Sequence, residues 1–481
     1  MLRNFIKDSA IYAIPQIFSK GINLILLPLY TRVLSPNEYG SLDLLLIFAA
    51  IINVTIALEV SQGLSRFYIT EKDIKKKMLY ASSAFWFTLT VYSILSFLIF
   101  IFAESLSSLI LGKDEMALTL RIGAIYIWIN GIYYLIQHQF RWQFQSKDFA
   151  LASLLMSLTT LLATVILAYY FNYGLNGVIA GLMIGNFIGA IFGILKLSGT
   201  TFTFVFSKKL LLKMIRFSFP LIFASLAVWS SQYIDRIMIN YFLGTDQLGI
   251  YSIGFRIASI IALTTIGIQS AITPLIYDNY EDDKSKKSLA TIFRLYFLFA
   301  VFVCMILFLF IDNIMIIFAT KEFFPAKDVI YFLAPSLLFS NIFLFFPGIA
   351  IVKKTYLILL INIFGALINL ILNFLLIEKY GITGAAYATL ISSALAGLMY
   401  IFLSQKFYNV PHEWKKIIYI FSLFLALLLT SNYLKLNFDQ NYLINIITVI
   451  FYFISVILLG FIKKLEIEKL LILIKIPEKR S

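Results

Sequence analysis

The chain has 481 residues and a mass of 55.0 kDa, long enough for several ordinary soluble domains, yet its composition excludes them. Hydrophobic residues make up 61%, charged residues 13%, and mean hydropathy is +0.91, whereas soluble domains carry roughly 25% charge. A surface that poor in charge has to face lipid, which predicts an all-α integral membrane protein; the apolar runs are too long and too even for the alternating strands of a barrel.

A helix crossing about 30 Å of hydrocarbon needs roughly 20 apolar residues, and about 14 stretches of the chain approach that length. The first, 9–30, outruns a cleavable signal, carries Lys20 and shows no small-residue cleavage site, so it is expected to stay as helix 1. Spans at 42–63, 78–103, 118–140, 150–171 and 176–197 follow. The next two, 216–241 and 249–275, carry internal charges. After them come 290–312, 328–351, 356–377, 382–404, 417–435 and 442–462. Pro220, Pro274, Pro335 and Pro347 mark kinks. Beyond the last span, Lys463 to Lys475 alternates basic residues with leucine and isoleucine, the pattern of an interfacial helix on an anionic leaflet.

Lysine and arginine set the orientation. With the N-terminus inside, the cytoplasmic loops and tail hold about four times as many as the opposite loops, a bias repeated along the chain. Both termini are therefore expected in the cytoplasm of a multi-pass protein, and the net charge of +14 records topology rather than affinity for nucleic acid. The connecting loops leave no room for a soluble catalytic or nucleotide-binding domain, so no enzyme is expected. Gly112-Lys113 lacks the upstream glycine and the hydroxyl residue of a phosphate loop. Glu281-Asp282-Asp283 reads as a solvated connection rather than a metal motif. A single cysteine, Cys304, and two distant histidines, His138 and His412, offer no metal-ligand spacing, and no cofactor is implied. His138 is expected to be a packing residue.

The chain also repeats itself. Arg32-Val-Leu-Ser-Pro-Asn-Glu-Tyr-Gly40 after helix 1 matches Tyr241-Phe-Leu-Gly-Thr-Asp-Gln-Leu-Gly249 after helix 7, and Tyr173-Gly-Leu-Asn-Gly177 matches Tyr380-Gly-Ile-Thr-Gly384. Equivalent positions lie six helices apart, so both halves insert the same way and are expected to be related by a pseudo-twofold axis along the membrane normal. This predicts an N-lobe at 1–212 (helices 1–6), a C-lobe at 213–404 (helices 7–12), and a C-terminal addition at 405–481 holding helices 13 and 14 and the amphipathic tail.

Ionisable groups at bilayer depth cost at least about 2.5–3.5 kcal/mol each on insertion scales, so they mark a cavity or a partner. Lys20, Glu59, Asp235, Arg236 and Arg256 are such groups. Helical spacing aligns Gln16, Lys20 and Asn23 on helix 1, and Thr55, Glu59, Gln62 and Arg66 on helix 2. It likewise aligns Ser225, Trp229, Gln232, Arg236 and Asn240 on helix 7, and Ser252, Arg256 and Ser259 on helix 8. Helix 4 carries Asn130, Tyr134, Gln137 and Arg141, and helix 11 carries Asn362, Asn369 and Asn373. Lys20 and Arg256 lack a carboxylate one turn away on their own helices, which predicts uncompensated positive charge suited to phosphate or pyrophosphate. Two readings compete: Arg236 as the partner of Asp235 or Glu59 in a structural ion pair, and Lys20 as a snorkelling side chain.

The segment from Ile14-Pro15 through Leu34-Ser35-Pro36-Asn37-Glu38-Tyr39-Gly40, the start of helix 8 at Leu248-Gly249-Ile250-Tyr251-Ser252, and the helix count resemble the polysaccharide exporter branch of the multidrug/oligosaccharidyl-lipid/polysaccharide flippase superfamily. The resemblance implies a flippase that moves undecaprenyl-pyrophosphate-linked oligosaccharide across the bacterial cytoplasmic membrane by alternating access, for O-antigen, capsule or exopolysaccharide. It maps the family's cavity-lining basic side chains onto Lys20, Arg236 and Arg256, with Arg66 at the cytoplasmic mouth. Asn23, on the polar stripe of helix 1, is read as a further substrate-binding residue. Glu59 and Asp235 are the candidate groups for coupling to a proton or sodium, with return driven by membrane potential as the alternative. Implied partners are membrane lipids, a polysaccharide polymerase and a chain-length regulator. A multidrug extruder or a lipid II flippase of the same fold, and a membrane polysaccharide polymerase or ligase, are the alternatives.

Overall fold

The computed structural model describes residues 21–22, 24–112, 114–199, 201–265, 282–437 and 441–461. Lys20, Asn23, Glu281, Pro274 and the basic tail lie outside them. Apart from one bridge between Ser198 and Phe202, regular structure among the described residues is helical, because in lipid a helix satisfies its own backbone groups. In chain order the elements begin with α1 (Leu24–Val33), α2 (Pro36–Thr55), α3 (Val60–Thr70), α4 (Ile74–Ile101) and α5 (Ala103–Leu111). Next come α6 (Ala117–Trp142), α7 (Ser146–Thr164, continued by a π-turn to Tyr170), α8 (Gly174–Leu197), α9 (Lys208–Leu243) and α10 (Thr245–Ala258, running on to Thr265). The chain continues through α11 (Asp283–Leu309), α12 (Ile311–Phe318), α13 (Ala326–Ser340), α14 (Thr355–Phe407), α15 (Trp414–Asn437) and α16 (Asn441–Leu458).

Twelve helices among the described residues are long and apolar enough to cross a membrane. One of them, α14, holds 53 residues and would be about 80 Å long if straight. It doubles back at Gly381, whose φ of 59° and ψ of −141° break the helix. Asn369 Nδ2 then reaches Ser392 Oγ at 3.3 Å across the hairpin. The matching turn in the first half falls at Gly174, with φ of 50°. Each repeat thus spends its first glycine on a left-handed turn. Its second, Gly177 or Gly384, lies where a Cβ would strike Ala168 or the Leu376 carbonyl.

Helix 2 departs from expectation. Instead of one span at 42–63, α2 ends at Thr55 and α3 starts at Val60, with Leu58 and Glu59 both at φ 51°. Two adjacent non-glycine residues in the left-handed region are unfavourable alone, so tertiary contacts hold them. Ser218 Oγ of α9 donates to the Leu58 carbonyl at 2.6 Å, which supplies one such contact. The polar stripe Thr55, Glu59, Gln62, Arg66 is therefore interrupted at its second member.

The acidic loop before α11 also has a local role. Asp282 is the N-cap of α11, its carboxylate accepting from Lys284 N at 3.1 Å, which is capping chemistry rather than metal binding.

Candidate functional site at the seam between the two halves

The Ser35-Pro36-Asn37-Glu38 segment starts α2 as a capping box. Ser35 Oγ accepts from Glu38 N at 3.3 Å, Glu38 Oε2 accepts from Ser35 N at 3.0 Å, and Pro36 occupies the first turn. This fixes where α2 begins, and α2 then packs along α10. We call this end of the bundle outer, the side on which the charge bias of the sequence is expected to place it.

The contacts there pair positions that the repeat makes equivalent. Asn37 Nδ2 donates to Asp246 Oδ2 at 3.1 Å and Ser252 Oγ donates to Asp43 Oδ2 at 2.7 Å, each across 209 residues. A Cβ on Gly40 would overlap the Thr245 carbonyl, and a Cβ on Gly249 would overlap the Pro36 carbonyl. With 36 matched to 245 and 40 to 249, these are two copies of one contact, as at an isologous interface. Only glycine lets the two backbones approach so closely.

Two turns into α2 this symmetry breaks in charge. Asp43 is 3% exposed and is the acceptor for both helices of the second half. Arg236 Nη1 of α9 lies 3.2 Å from Asp43 Oδ2, and Arg256 Nη2 of α10 lies 4.0 Å from Asp43 Oδ1. The guanidiniums also stack on aromatic rings, Arg236 at 4.3 Å from the Phe255 centroid and Arg256 at 5.3 Å from that of Tyr39. Asp235 is satisfied separately, accepting from Tyr251 OH at 2.5 Å and from Arg236 N at 2.8 Å. Two arginines and two aspartates thus make a buried cluster with no formal net charge. The Arg256 side chain keeps the most access, at 24% exposed against 8% for Arg236.

These observations revise the sequence expectations. The ion pair of Arg236 forms with Asp43, not with Asp235 or Glu59, because α2 and not α3 faces the end of α9. Arg256 is not uncompensated in this conformation: the acid missing from its own helix arrives from α2. Arg66 is exposed on α3, 23 residues beyond Asp43 and so roughly 35 Å along the helical path, at the opposite end of the bundle. Glu59 lies at the helix break, apart from the cluster. The Ser252–Arg256 stripe does converge on the site, whereas Asn369 and Asn373 bond each other at 2.9 Å within the α14 hairpin. His138 packs between the rings of Tyr134 and Trp142, as expected. Sequence reasoning missed Asp43; its match to Ser252 in the repeat was the available signal. It also missed Arg294, fully buried in α11 and bonded to Glu413 Oε2 at 2.5 Å.

A family model described as "Polysaccharide biosynthesis protein" matches residues 29–287, which span α2 to α10 and the whole cluster. The chain belongs to that family, a flippase branch of the multidrug/oligosaccharidyl-lipid/polysaccharide superfamily. A second model, MatE, matches residues 220–375. The chain is similar to the succinoglycan biosynthesis transport protein ExoT of Rhizobium meliloti, at 23% identity over 244 residues. That match covers 50% of this chain and 47% of the relative, about half the length of each. In fold it is similar to the lipid II flippase MurJ in an inward closed conformation, with TM-score 0.73 and 17% identity, covering 93% of this chain and 98% of that one. It is also similar to an inward-facing multidrug resistance MATE transporter, with TM-score 0.66 and 16% identity, covering 81% of this chain and 94% of that one. At such identities the likeness shows the fold. The chain presents, between its two repeated halves, a buried charge cluster built on Asp43, Arg236 and Arg256.

Proposed function

We propose that this flippase moves a polyprenyl-pyrophosphate-linked oligosaccharide across the bacterial cytoplasmic membrane by alternating access, residues 1–212 and 213–404 acting as the two lobes. The observation that carries the reading is the sharing of Asp43 between Arg236 and Arg256 across the seam. The family points to polysaccharide synthesis, and a lipid-borne diphosphate is the anion such a pathway presents to paired guanidinium donors.

The cluster suggests how loading triggers opening. Substrate enters from the cytoplasmic side with its prenyl chain in lipid, and its diphosphate approaches the partly accessible Arg256. Each phosphate contact Arg256 makes competes with Asp43. As Asp43 loses that partner the outer seam weakens, and the lobes rock until the head group faces outward. Lys20, Asn23 and Arg66 serve the path from the cytoplasmic mouth, and polar faces meet the sugar hydroxyls. Return of the empty carrier is coupled to a cation, with Glu59 and Asp235 as the coupling carboxyls. A polymerase and a chain-length regulator take the product at the outer face.

Arg256→Ala and Lys20→Ala, made separately in the native host, test this. The expected result is loss of surface polysaccharide with complete lipid-linked repeat units trapped on the inner leaflet at normal protein levels. Unchanged surface glycan in both variants would remove the reading. Loss of a polymerase would instead leave single units on the surface acceptor.

A further inference from the structure

We infer that a groove on the flank of the first half holds one acyl chain of an anionic phospholipid, with its headgroup phosphate on Lys208 and Lys209. The groove, of about 330 Å³, runs between α4, α6 and α8. Trp86 and Leu89 of α4, Trp128 and Ile132 of α6, and Phe187 and Ile191 of α8 form its walls. Both indoles have their N–H groups satisfied elsewhere, Trp86 on the Thr203 carbonyl and Trp128 on Ser93 Oγ, each at 2.9 Å. The groove therefore meets only their apolar rings. Phe187 and Ile191 are exposed, so it opens sideways toward lipid. An apolar void of this size holds no ordered water, and at bilayer depth the solvent that fills it is hydrocarbon.

Length and charge decide the occupant. The groove follows α8 from Phe187 to Ser198, about 16 Å at the helical rise. That is one leaflet's share of a hydrocarbon core of about 30 Å. Its mouth is at the end opposite the Asp43 cluster, where α9 starts with Lys208 and Lys209, both exposed. Ser207 N donates to Ser83 Oγ at 2.9 Å, which seats the start of α9 beside α4, one turn before Trp86. Neighbouring acids have other partners: Asp148 pairs with Lys196 at 3.7 Å, and Asp73 accepts from Lys75 N at 3.0 Å. Basic side chains at the boundary of a leaflet attract anionic headgroups. Among the described residues, none from α9 or α10 lines the groove, so its occupant sits apart from Arg236 and Arg256. That separates a resident phospholipid from the transported cargo.

The lipid acts on the connection between the halves. Phe202, Thr203 and Phe204, from the segment joining α8 to α9, line the groove near its mouth. This segment is tied to α4: Thr203 N donates to Ser82 Oγ at 2.8 Å, and the Phe202 ring stacks on Phe85 at 4.6 Å. Phe204 lies 5.5 Å from the Trp86 ring and is 94% exposed, so a chain in the groove supplies packing that the protein does not. Occupancy therefore steadies the start of α9, the helix whose far end carries Arg236.

Thermal unfolding of the purified full-length protein in a neutral detergent, with phosphatidylglycerol or phosphatidylcholine of the same acyl chains added back, tests the inference. Phosphatidylglycerol is expected to raise the midpoint saturably, and phosphatidylcholine to raise it less. Lys208→Gln with Lys209→Gln should raise the half-saturating phosphatidylglycerol concentration roughly 25-fold, about fivefold for each lysine at an acidic headgroup. Ile191→Trp, which fills the groove with a ring, should abolish the increment. If that variant does not fold, Phe187→Ala, which removes part of a wall, carries the comparison and should weaken the increment. Equal midpoints in the two lipids would overturn the inference. So would a phosphatidylglycerol increment unchanged by the groove variants, which would reduce the effect to charge at the membrane surface. An increment from a polyprenyl phosphate but not from phosphatidylglycerol would overturn it too, in favour of the carrier's own tail. No lipid-linked sugar enters the measurement, so its outcome leaves the transport reading of the preceding section untouched.

Discussion

The two halves meet at both ends of the bundle, and the two seams are built on different physics. At the outer end α2 and α10 approach to backbone contact through Gly40 and Gly249 and share the Asp43 cluster, in which Asp43 is buried. At the inner end α3 and α9 meet through one hydroxyl, Ser218 on the Leu58 carbonyl. Close packing of Gly63 on Met214, the edge-to-face rings of Phe67 and Phe217 at 5.9 Å and Lys213 over Phe67 at 4.5 Å add to it. The outer seam is strong but brittle, since removing one partner strands the others, whereas the inner seam is a sum of small terms. Under the proposed function, the Asp43 seam stays shut until an anion engages Arg256.

The largest test of this contrast is Asp43→Ala. Breaking a buried ion pair costs about 3–5 kcal/mol, so thermal stability should fall by that order and an Asn37→Cys/Asp246→Cys pair should lose its cross-linking across the outer seam. The swap Asp43→Ser with Ser252→Asp sharpens it. The two positions touch and are repeat equivalents, so the carboxylate stays at the seam and much of the lost cross-linking and surface polysaccharide should return. Cross-linking that stays at the level of Asp43→Ala would show that the position of the acid, not its presence, closes the seam.

Gly249→Ala comes next. The added methyl has to displace the Pro36 carbonyl, at a cost of about 1–3 kcal/mol typical of overpacking. Reduced cross-linking at the outer seam, with contacts at the inner seam unchanged, is the expected reading.

His412 provides a control outside both seams. It sits in the connection between α14 and α15 against Phe293, Phe346 and Trp414. Burial there pushes its imidazole down to about 4. The folded protein binds the proton less readily than the unfolded chain, so stability is full above about pH 6.5 and falls as pH drops toward 4, by roughly 1 kcal/mol per unit. His412→Phe should flatten that slope in a thermal melt and leave cross-linking at both seams untouched.

The smallest effect belongs to Ser218→Ala. One neutral hydrogen bond is worth about 0.5–1.5 kcal/mol, so stability should barely move while the inner seam opens more often, measured as faster thiol labelling of Met214→Cys, a buried position against Gly63. A loss as large as that of Asp43→Ala would erase the distinction between the seams.

Much of this was legible from residue order. Apolar runs located the spans because lipid tolerates few alternatives to a self-satisfied helix. Ser35-Pro36-Asn37-Glu38 encodes its own cap, and the repeated glycines at 174 and 381 mark the same left-handed turn because only glycine adopts it freely. The Ser252–Arg256 stripe contains two of the side chains that meet at Asp43. The site was less legible. Asp43 looks like an isolated acid near a helix start, and neither its helix nor its neighbours in sequence announce two arginines that lie in the second half of the chain. The break at Leu58 and Glu59 was hidden for the same reason, since neither residue prefers the left-handed region and no glycine or proline marks it.

Sequence by itself thus determined the solvent in which this protein folds, its helical spans, its repeat and the residues that carry charge into the membrane, because hydropathy, capping and glycine geometry act over a few neighbouring residues. Only the tertiary structure decided which charges meet. Asp43 takes Arg236 and Arg256, Asp235 takes Tyr251, and Glu59 sits at the helix break, apart from the arginines. Those choices depend on which helix faces arrive together across the seam, and low dielectric makes each of them energetically decisive.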